Sequence, residues 1–420
     1  MTGKKLLLTR FILCAFLTLC VAVDASRAAE EQKSNDKELY KQIELFSDAV
    51  TLIQSDYVEE VEPKKLVYGA LEGMLSSLDG YSQFMDPESF REMQIDTKGE
   101  FGGLGIEIAV KDGVLTVIAP LDGTPAAKAG LKSGDRIVKI DGEATREINL
   151  MDAVKKLRGK PGTKIDIVIF REEEEKLLDF TIVRSIIKIK STKAAELLEE
   201  DIGYIKLVEF QENTSRELEE KLAKLKKLEM KGLILDLRNN PGGLLDVSQS
   251  VSEKFLPEGE TIVSLKSRIP DQNKVFRSRG KQKFLDFPLV ILVNGGSASA
   301  SEIVAGAIRD NQRGIIVGTK TFGKGSVQTV IPLKDGSAVR ITTADYFTPA
   351  GHSIKEKGIL PDVEIKLEER QASTSEKKED IFEKIGKKDL TEKKNGVIYD
   401  NQLQTAVDVL RGILVYKRSE

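Results

Sequence analysis

Two short stretches hold residues of the types that do covalent chemistry. The first is Val290-Ile-Leu-Val-Asn-Gly-Gly-Ser297-Ala-Ser299-Ala-Ser301-Glu302-Ile303, an apolar strand that passes through small residues straight into a helix rich in Ala and Gly. The first N–H groups of a helix have no partner within it, and the helix dipole is positive there. An oxyanion forming beside Ser299 would meet donors already in place. The same residues spell a capping box, Ser299-x-x-Glu302, in which the serine only satisfies a helix end, and from this stretch alone both readings stand. The second stretch is Thr319-Lys320-Thr321-Phe322-Gly323-Lys324-Gly325-Ser326-Val327-Gln328. The glycines on either side of Lys324 let the backbone bend and bring a long side chain against a neighbouring element. A phosphate loop is excluded, because Gly325 follows the lysine where that motif needs Ser or Thr. An ordinary surface-loop lysine is the other reading.

Composition narrows the chemistry. Among 420 residues there is one His, two Cys and no Trp. A single His leaves no room for a His-rich zinc site and allows a Ser-His-Asp triad only through His352, so the expectation is a base other than histidine and no metal or cofactor. Both cysteines, Cys14 and Cys20, fall in an apolar run preceded by Lys4, Lys5 and Arg10 and followed by Ala25-Ser26-Arg27-Ala28-Ala29. That order reads as a secretory signal peptide over 1–28, too short to be an ordinary membrane span, with an uncleaved anchor as the other reading. A lipid-anchored Cys20 fits poorly, since Leu19 is bulky. Cleavage after Ala28 would give a cysteine-free exported protein of the periplasm or cell envelope. It would also remove four basic residues and one acid, leaving the mature chain more acidic than the whole chain's −3. No electrostatic footprint for nucleic acid remains, and clusters such as Lys224, Lys226, Lys227 and Lys231 read as solvated helix faces.

These residues need elements to hold them. Residues 36–95 follow a helical period through Leu39, Ile43, Phe46, Val50 and Ile53, and again through Leu66, Ala70, Met74 and Leu78. They predict a helical arm too small for much of a core of its own. Over 97–186 short strands alternate with turns, and Phe101-Gly102-Gly103-Leu104-Gly105-Ile106 leads into alternating apolar positions. The Gly-Leu-Gly-Ile loop and the later Gly130-Leu-x-x-Gly134-Asp-x-Ile137 resemble a PDZ domain of the permuted bacterial kind. In such a domain the N–H groups of Gly103, Leu104, Gly105 and Ile106 converge on a peptide's terminal carboxylate, and the adjacent strand edge pairs with the peptide. Over 187–367 strands and helices alternate as in an α/β domain: strands at 202–210, 232–237, 261–265, 288–293, 314–318 and 327–332, with helices at 214–230, 245–255 and 299–309. Residues 368–396 are highly charged and read as a solvated, flexible stretch, and an amphipathic helix closes the chain within 397–420. The fold class expected is multidomain α+β and α/β.

With Ser299 and Lys324 in view, the chain resembles the C-terminal processing peptidases, or tail-specific proteases, over nearly its whole length. The motifs Asn-x-x-Ser-Ala-Ser-Ala-Ser-Glu-Ile and Thr-Phe-Gly-Lys-Gly-x-Val-Gln carry the resemblance. It implies that Ser299 is the nucleophile, Lys324 the general base and Gln328 the residue that positions the lysine. It implies an oxyanion hole from the N–H of Ala300 together with that of Gly243 or Gly242, in the stretch Asp236-Leu-Arg238-Asn-Asn-Pro-Gly242-Gly243, where Asp236 and Arg238 organise the loop. By the same likeness Arg158 couples a tail-loaded PDZ domain to the core, and His352 is a bystander. The physics fits a Ser-Lys dyad: free lysine, with a pKa of about 10.4, is a poor base at neutral pH until burial lowers it. Gln328, four residues beyond Lys324, suits a hydrogen bond that fixes the amine without adding charge. The activity expected is cleavage of peptide bonds in proteins with accessible C-terminal tails, by a homodimer joined through its terminal helices, with any activating adaptor unspecified. A non-catalytic PDZ scaffold on a retired protease core is the alternative. The stretch Leu78-Asp-Gly-Tyr-Ser82 departs from the family, which often has Pro-His before that Ser, without touching the catalytic residues.

Overall fold

The computed structural model describes residues 37–111, 113–146, 148–280, 284–368 and 400–419. The leader with Cys14 and Cys20, and nearly all of the charged stretch 368–396, lie outside the described residues. The chain divides into two compact units between Phe84 and Met85. In the first unit residues 37–56 are helical and a second helix spans Pro63–Ser76, entered by a proline at its first turn, where a missing N–H costs nothing. Leu39, Tyr40, Ile43, Leu45 and Phe46 are exposed.

The second unit opens with the helix Pro87–Lys98, set by three local signals. Asp86 caps it by accepting from Ser89 N at 2.7 Å, Pro87 starts it, and Gly99 ends it in the left-handed region at φ +66°. A capping bond of this kind is worth about 1 kcal/mol. There follows a sheet in the order Ile106–Lys111, Val114–Pro120, Arg136–Ile140, Lys164–Arg171, Lys176–Val183, all antiparallel. Alternation explains its inner face: Ile165, Ile167 and Ile169 are buried while their neighbours are not. Among the described residues Ile106–Lys111 pairs on one side only, which leaves its other edge open there.

The α/β region is built on a six-stranded sheet in the order Thr192–Leu198, Ile202–Leu207, Gly232–Asp236, Leu289–Val293, Ile315–Gly318, Val363–Glu364. The first strand is antiparallel and the rest are parallel. Gly232–Asp236 and Leu289–Val293 are buried at every position because both faces are covered. On one face lie Leu218, Leu222 and Leu225 of the helix Thr214–Lys227, with Val247 and Val251 of Leu245–Ser252 and Ile303 of Ala300–Asp310. On the other, Ala406, Val407 and Leu410 of the helix Asn401–Ser419 pack on Ile234, Val290 and Leu292. Each such leucine contributes about 2 kcal/mol by leaving water.

Two of the strands read from the sequence lie outside this sheet. Thr261–Ser267 and Ser326–Pro332 do not join the parallel sheet. With Lys274–Arg277 and a ten-residue strand, Ala338–Phe347, they form an antiparallel sheet of their own. Ala338–Phe347 has no place in the sequence reading because it is half-buried along most of its length and shows no clean alternation.

Candidate active site

Three loops leave the C-terminal ends of neighbouring parallel strands: 237–243 after Gly232–Asp236, 294–299 after Leu289–Val293, and 319–325 after Ile315–Gly318. That end of an α/β sheet is where a crevice forms. A cavity of about 580 Å³ opens there, and Gly243, Ser299, Lys324, Gln328, Arg340 and Tyr346 are among its lining residues.

The serines of the first motif separate by their hydrogen bonds. Ser297 Oγ is buried, donates to Leu237 O at 2.8 Å and accepts from Asn294 N at 3.0 Å. Ser301 Oγ is also buried and donates to Asn240 O at 2.9 Å. These two stitch the serine loop to the glycine loop, while Ser299 faces the cavity. Its backbone sits at φ +52°, a conformation that L residues rarely adopt and that costs about 1–3 kcal/mol. The Ser299 carbonyl closes the first helical turn, accepting from Glu302 N at 2.9 Å and Ile303 N at 3.0 Å.

Glu302 is wholly buried and accepts four hydrogen bonds. Its Oε1 takes Thr321 Oγ1 at 2.5 Å and Gly323 N at 2.7 Å, and its Oε2 takes Ser299 N at 2.9 Å and Lys324 N at 2.8 Å. Burial pushes its pKa up, and the four donors pull the other way. The sequence reading of this residue stops at a helix cap. What it misses is that the same carboxylate anchors the lysine loop, whose 19–22 residues of separation no local motif records.

Lys324 is partly buried. Burial, then the positive charge of Arg340, hold its pKa below the ordinary lysine range, while Glu302 acts against them. The flanking glycines are required by close approach: a Cβ on Gly325 would lie 2.1 Å from Lys355 N, and one on Gly323, at φ +93°, would lie 3.0 Å from the Glu356 backbone. Gln328 Nε2 donates to Ser326 Oγ at 3.0 Å and to Thr342 Oγ1 at 3.3 Å, which orients the amide in the same cavity as the lysine.

In the glycine loop, Gly242 N donates to Asn240 Oδ1 at 2.9 Å and Gly242 O accepts from Phe210 N at 2.8 Å. Gly243 lines the cavity and Gly242 does not. Ala300 supplies the first N–H of its helix. His352 is exposed and is not among the residues lining the cavity.

A second cavity, of about 100 Å³, lies in the β-rich domain. Gly103, Leu104, Gly105 and Ile106 all line it, with Val154 and Arg158 from the helix Leu150–Leu157 and its end. Arg158 lies 4.5 Å over the Phe101 ring and pairs with Glu92 of the helix Pro87–Lys98. It thus reaches the core through an intermediary: Met93, Asp96 and Thr97 of that helix line the larger cavity. The sequence reading has no place for Glu92, because an acid on an exposed helix face carries no local signal.

Comparison with known proteins matches three regions of the chain. The description "Peptidase family S41" fits residues 201–365, "PDZ domain" residues 92–170, and "Activating protease CtpB N-terminal domain" residues 14–89. The chain is 45% identical to a carboxy-terminal-processing protease of Bartonella bacilliformis, over 84% of this chain and 81% of that one. It is 36% identical to the carboxy-terminal processing protease CtpB of Bacillus subtilis, over 83% and 71%. Among solved structures, a photosystem II D1 C-terminal processing protease is similar at 31% identity, covering 77% of this chain and 92% of that one with a TM-score of 0.45.

Proposed function

Since the chain belongs to peptidase family S41, as a carboxy-terminal processing serine protease with a PDZ domain, we propose that it captures a protein's C-terminal tail in the 101–158 cavity and cuts with a Ser299/Lys324 dyad. Neutral Lys324 takes the Ser299 proton as Oγ attacks the scissile carbonyl. The carbonyl oxygen gains charge between the N–H groups of Ala300 and Gly243, and Lys324 then returns the proton to the leaving amine. Water releases the acyl group by the same route in reverse. Gln328, held through its Nε2, keeps its Oε1 for the lysine amine.

The observation that carries this reading is the meeting of Ser299, Lys324, Gln328 and Gly243 in one cavity. Of the two glycines, Gly243 is the better donor, because the Gly242 N–H is already engaged by Asn240. Substituting Ser299→Ala or Lys324→Ala should abolish cleavage while tail peptides still bind. Full activity in either variant overturns the dyad.

The leader read over 1–28 supports work outside the cytoplasm, on proteins of the cell envelope. N-terminal sequencing of the mature protein tests export, and uncut tails accumulating with Ser299→Ala would name the substrates by mass spectrometry. The exposed apolar residues over 39–46 support pairing of two copies, and a monomer by light scattering would count against it.

A further inference from the structure

Arg238 stands at the base of the loop that carries Gly242 and Gly243, and its guanidinium has five N–H donors. All five are used. Nε donates to Asp236 Oδ1 at 3.0 Å and Nη2 to Asp236 Oδ2 at 2.7 Å. Nη2 also donates to Asp400 Oδ2 at 2.8 Å, and Nη1 to Asp400 Oδ1 at 2.8 Å and Gln402 Oε1 at 3.1 Å. Asp236 is wholly buried, holds the Arg238 backbone N–H at 2.9 Å and accepts from the Tyr204 hydroxyl at 2.8 Å. One wall of this cage is therefore local to the loop, and the other comes from the far end of the chain.

That far wall is rigidly seated. Asp400 caps the helix Asn401–Ser419 by accepting from Leu403 N at 3.0 Å. Asn401 Nδ2 and Gln402 Nε2 donate to Lys366 O and Ile365 O at 2.8 Å each, which fixes the helix start beside the last parallel strand. Burial works against the Arg238 charge, but the bonds from Asp236 and Asp400 outweigh it and raise its pKa. Burial would likewise raise the Asp400 pKa, and Arg238 with the cap bonds brings it down. A buried cation that loses one of two such partners is left with unsatisfied donors and shifts to find others. The residues next to it in sequence are Asn239-Asn240-Pro241-Gly242-Gly243.

We infer that Asp400 is a positioning residue for catalysis: from the C-terminal helix it clamps Arg238, and through Arg238 it sets where the Gly243 N–H points. The C-terminal helix is then part of the catalytic apparatus as well as a cover for the sheet. This inference rests on the proposed dyad and oxyanion hole. Charge and shape at the clamp matter, while neither Asp400 nor Arg238 touches substrate.

The test uses the full chain with a tail-bearing peptide substrate and a peptide boronic acid that forms a tetrahedral adduct on the serine. Asp400→Asn should lower kcat by about tenfold or more, the scale set by loss of oriented oxyanion donors, with KM within about twofold. Boronate affinity should fall by a factor similar to kcat, while binding of a tail peptide stays unchanged. Gln402→Leu, which removes one hydrogen bond and keeps the ion pair, should show a smaller loss in the same ratio and serves if Asp400→Asn does not fold. A folded Asp400→Asn or Gln402→Leu enzyme with kcat and boronate affinity at wild-type levels overturns the clamp. So does a loss that appears in KM and tail binding alone. Ser299→Ala run in parallel separates the two ideas: activity surviving there sinks the dyad, whereas a dead Ser299→Ala beside a normal Asp400→Asn sinks only the clamp.

Discussion

The backbone N–H groups of Ser299 and Lys324 donate to one and the same atom, Glu302 Oε2, at 2.9 and 2.8 Å. The loop after Leu289–Val293 and the loop after Ile315–Gly318 therefore have a common origin at a single buried oxygen. A shift of either backbone strains the bond of the other, so the spacing of the two chain segments that carry the proposed nucleophile and base is held by one carboxylate. The other oxygen adds two more bonds to the lysine loop, from Thr321 and Gly323.

Glu302→Gln keeps the size of this group but replaces an acceptor by a donor that must face N–H groups. Leaving such a site unsatisfied costs about 1–3 kcal/mol. The variant should melt several degrees lower and lose about 100-fold in kcat, the scale of loss that a misplacement near 1 Å produces. Thermal melts and steady-state kinetics check both. Wild-type kcat in a folded Glu302→Gln protein would show that the shared oxygen does not set the dyad.

Arg340 supplies the fixed charge that helps hold Lys324 below the ordinary lysine range. Its Nε is buried without a hydrogen-bond partner among the described residues, and burial lowers its own pKa while leaving it cationic. Glu302 pulls the lysine the other way, Asp96, Glu209 and Asp246 line the same cavity, and Tyr346, pushed up to about 12 by burial, stays neutral. A base works when unprotonated, so the rate should rise with pH through the lowered lysine pKa. Arg340→Gln removes a positive charge, favours the protonated amine and should move that rising limb to higher pH. A pH profile of kcat/KM measures it, and an unmoved limb refutes the role of Arg340.

Gly242 packs against the serine loop at φ +107°. A Cβ there would lie 2.8 Å from both Ala298 O and Ser299 Cβ, and 3.0 Å from Ala300 N. Gly242→Ala therefore pushes on the proposed nucleophile and on one oxyanion donor together, besides straining the backbone by about 1–3 kcal/mol. It should be folded, less stable and nearly inactive, while Ala at Gly259, which has open space around it but a positive φ, should cost stability alone. Equal activity in the two variants would count against the glycine loop as part of the site.

What the sequence made legible follows from range. The buried strands, the helix starts and the Lys324 glycines are local patterns of period or backbone freedom, and each is readable in a few residues. The serine motif is local too, but the hydrogen bonds that set Ser297 and Ser301 apart from Ser299 go to carbonyls at Leu237 and Asn240 that lie some sixty positions away. The antiparallel sheet that sets Gln328 opposite Thr342, the cage that joins Arg238 to Asp400, and the Glu92 partner of Arg158 are all pairings at long range. Charged residues at such positions look like any solvated charge until the fold supplies the partner.

The proposed coupling of the two cavities runs through Arg158, by a contact that a ligand can contest. It lies over Phe101 at the rim of the proposed tail cavity and pairs with Glu92, and both side chains are partly exposed. A pair so exposed holds by only about 0–1 kcal/mol. A tail carboxylate arriving at the Gly103–Ile106 loop brings a competing negative charge beside Arg158 and weakens its hold on Glu92. The helix Pro87–Lys98 is then freer to move, and its Met93, Asp96 and Thr97 move with it at the wall of the active-site cavity. If tail binding accelerates cleavage through this contact, Arg158→Gln should leave tail-peptide affinity within a few fold and abolish the acceleration, an effect of about 5–150-fold for couplings of 1–3 kcal/mol. The measurement is the cleavage rate of a tail-less reporter peptide with and without saturating tail peptide. Stimulation equal to wild type in Arg158→Gln would place the coupling elsewhere.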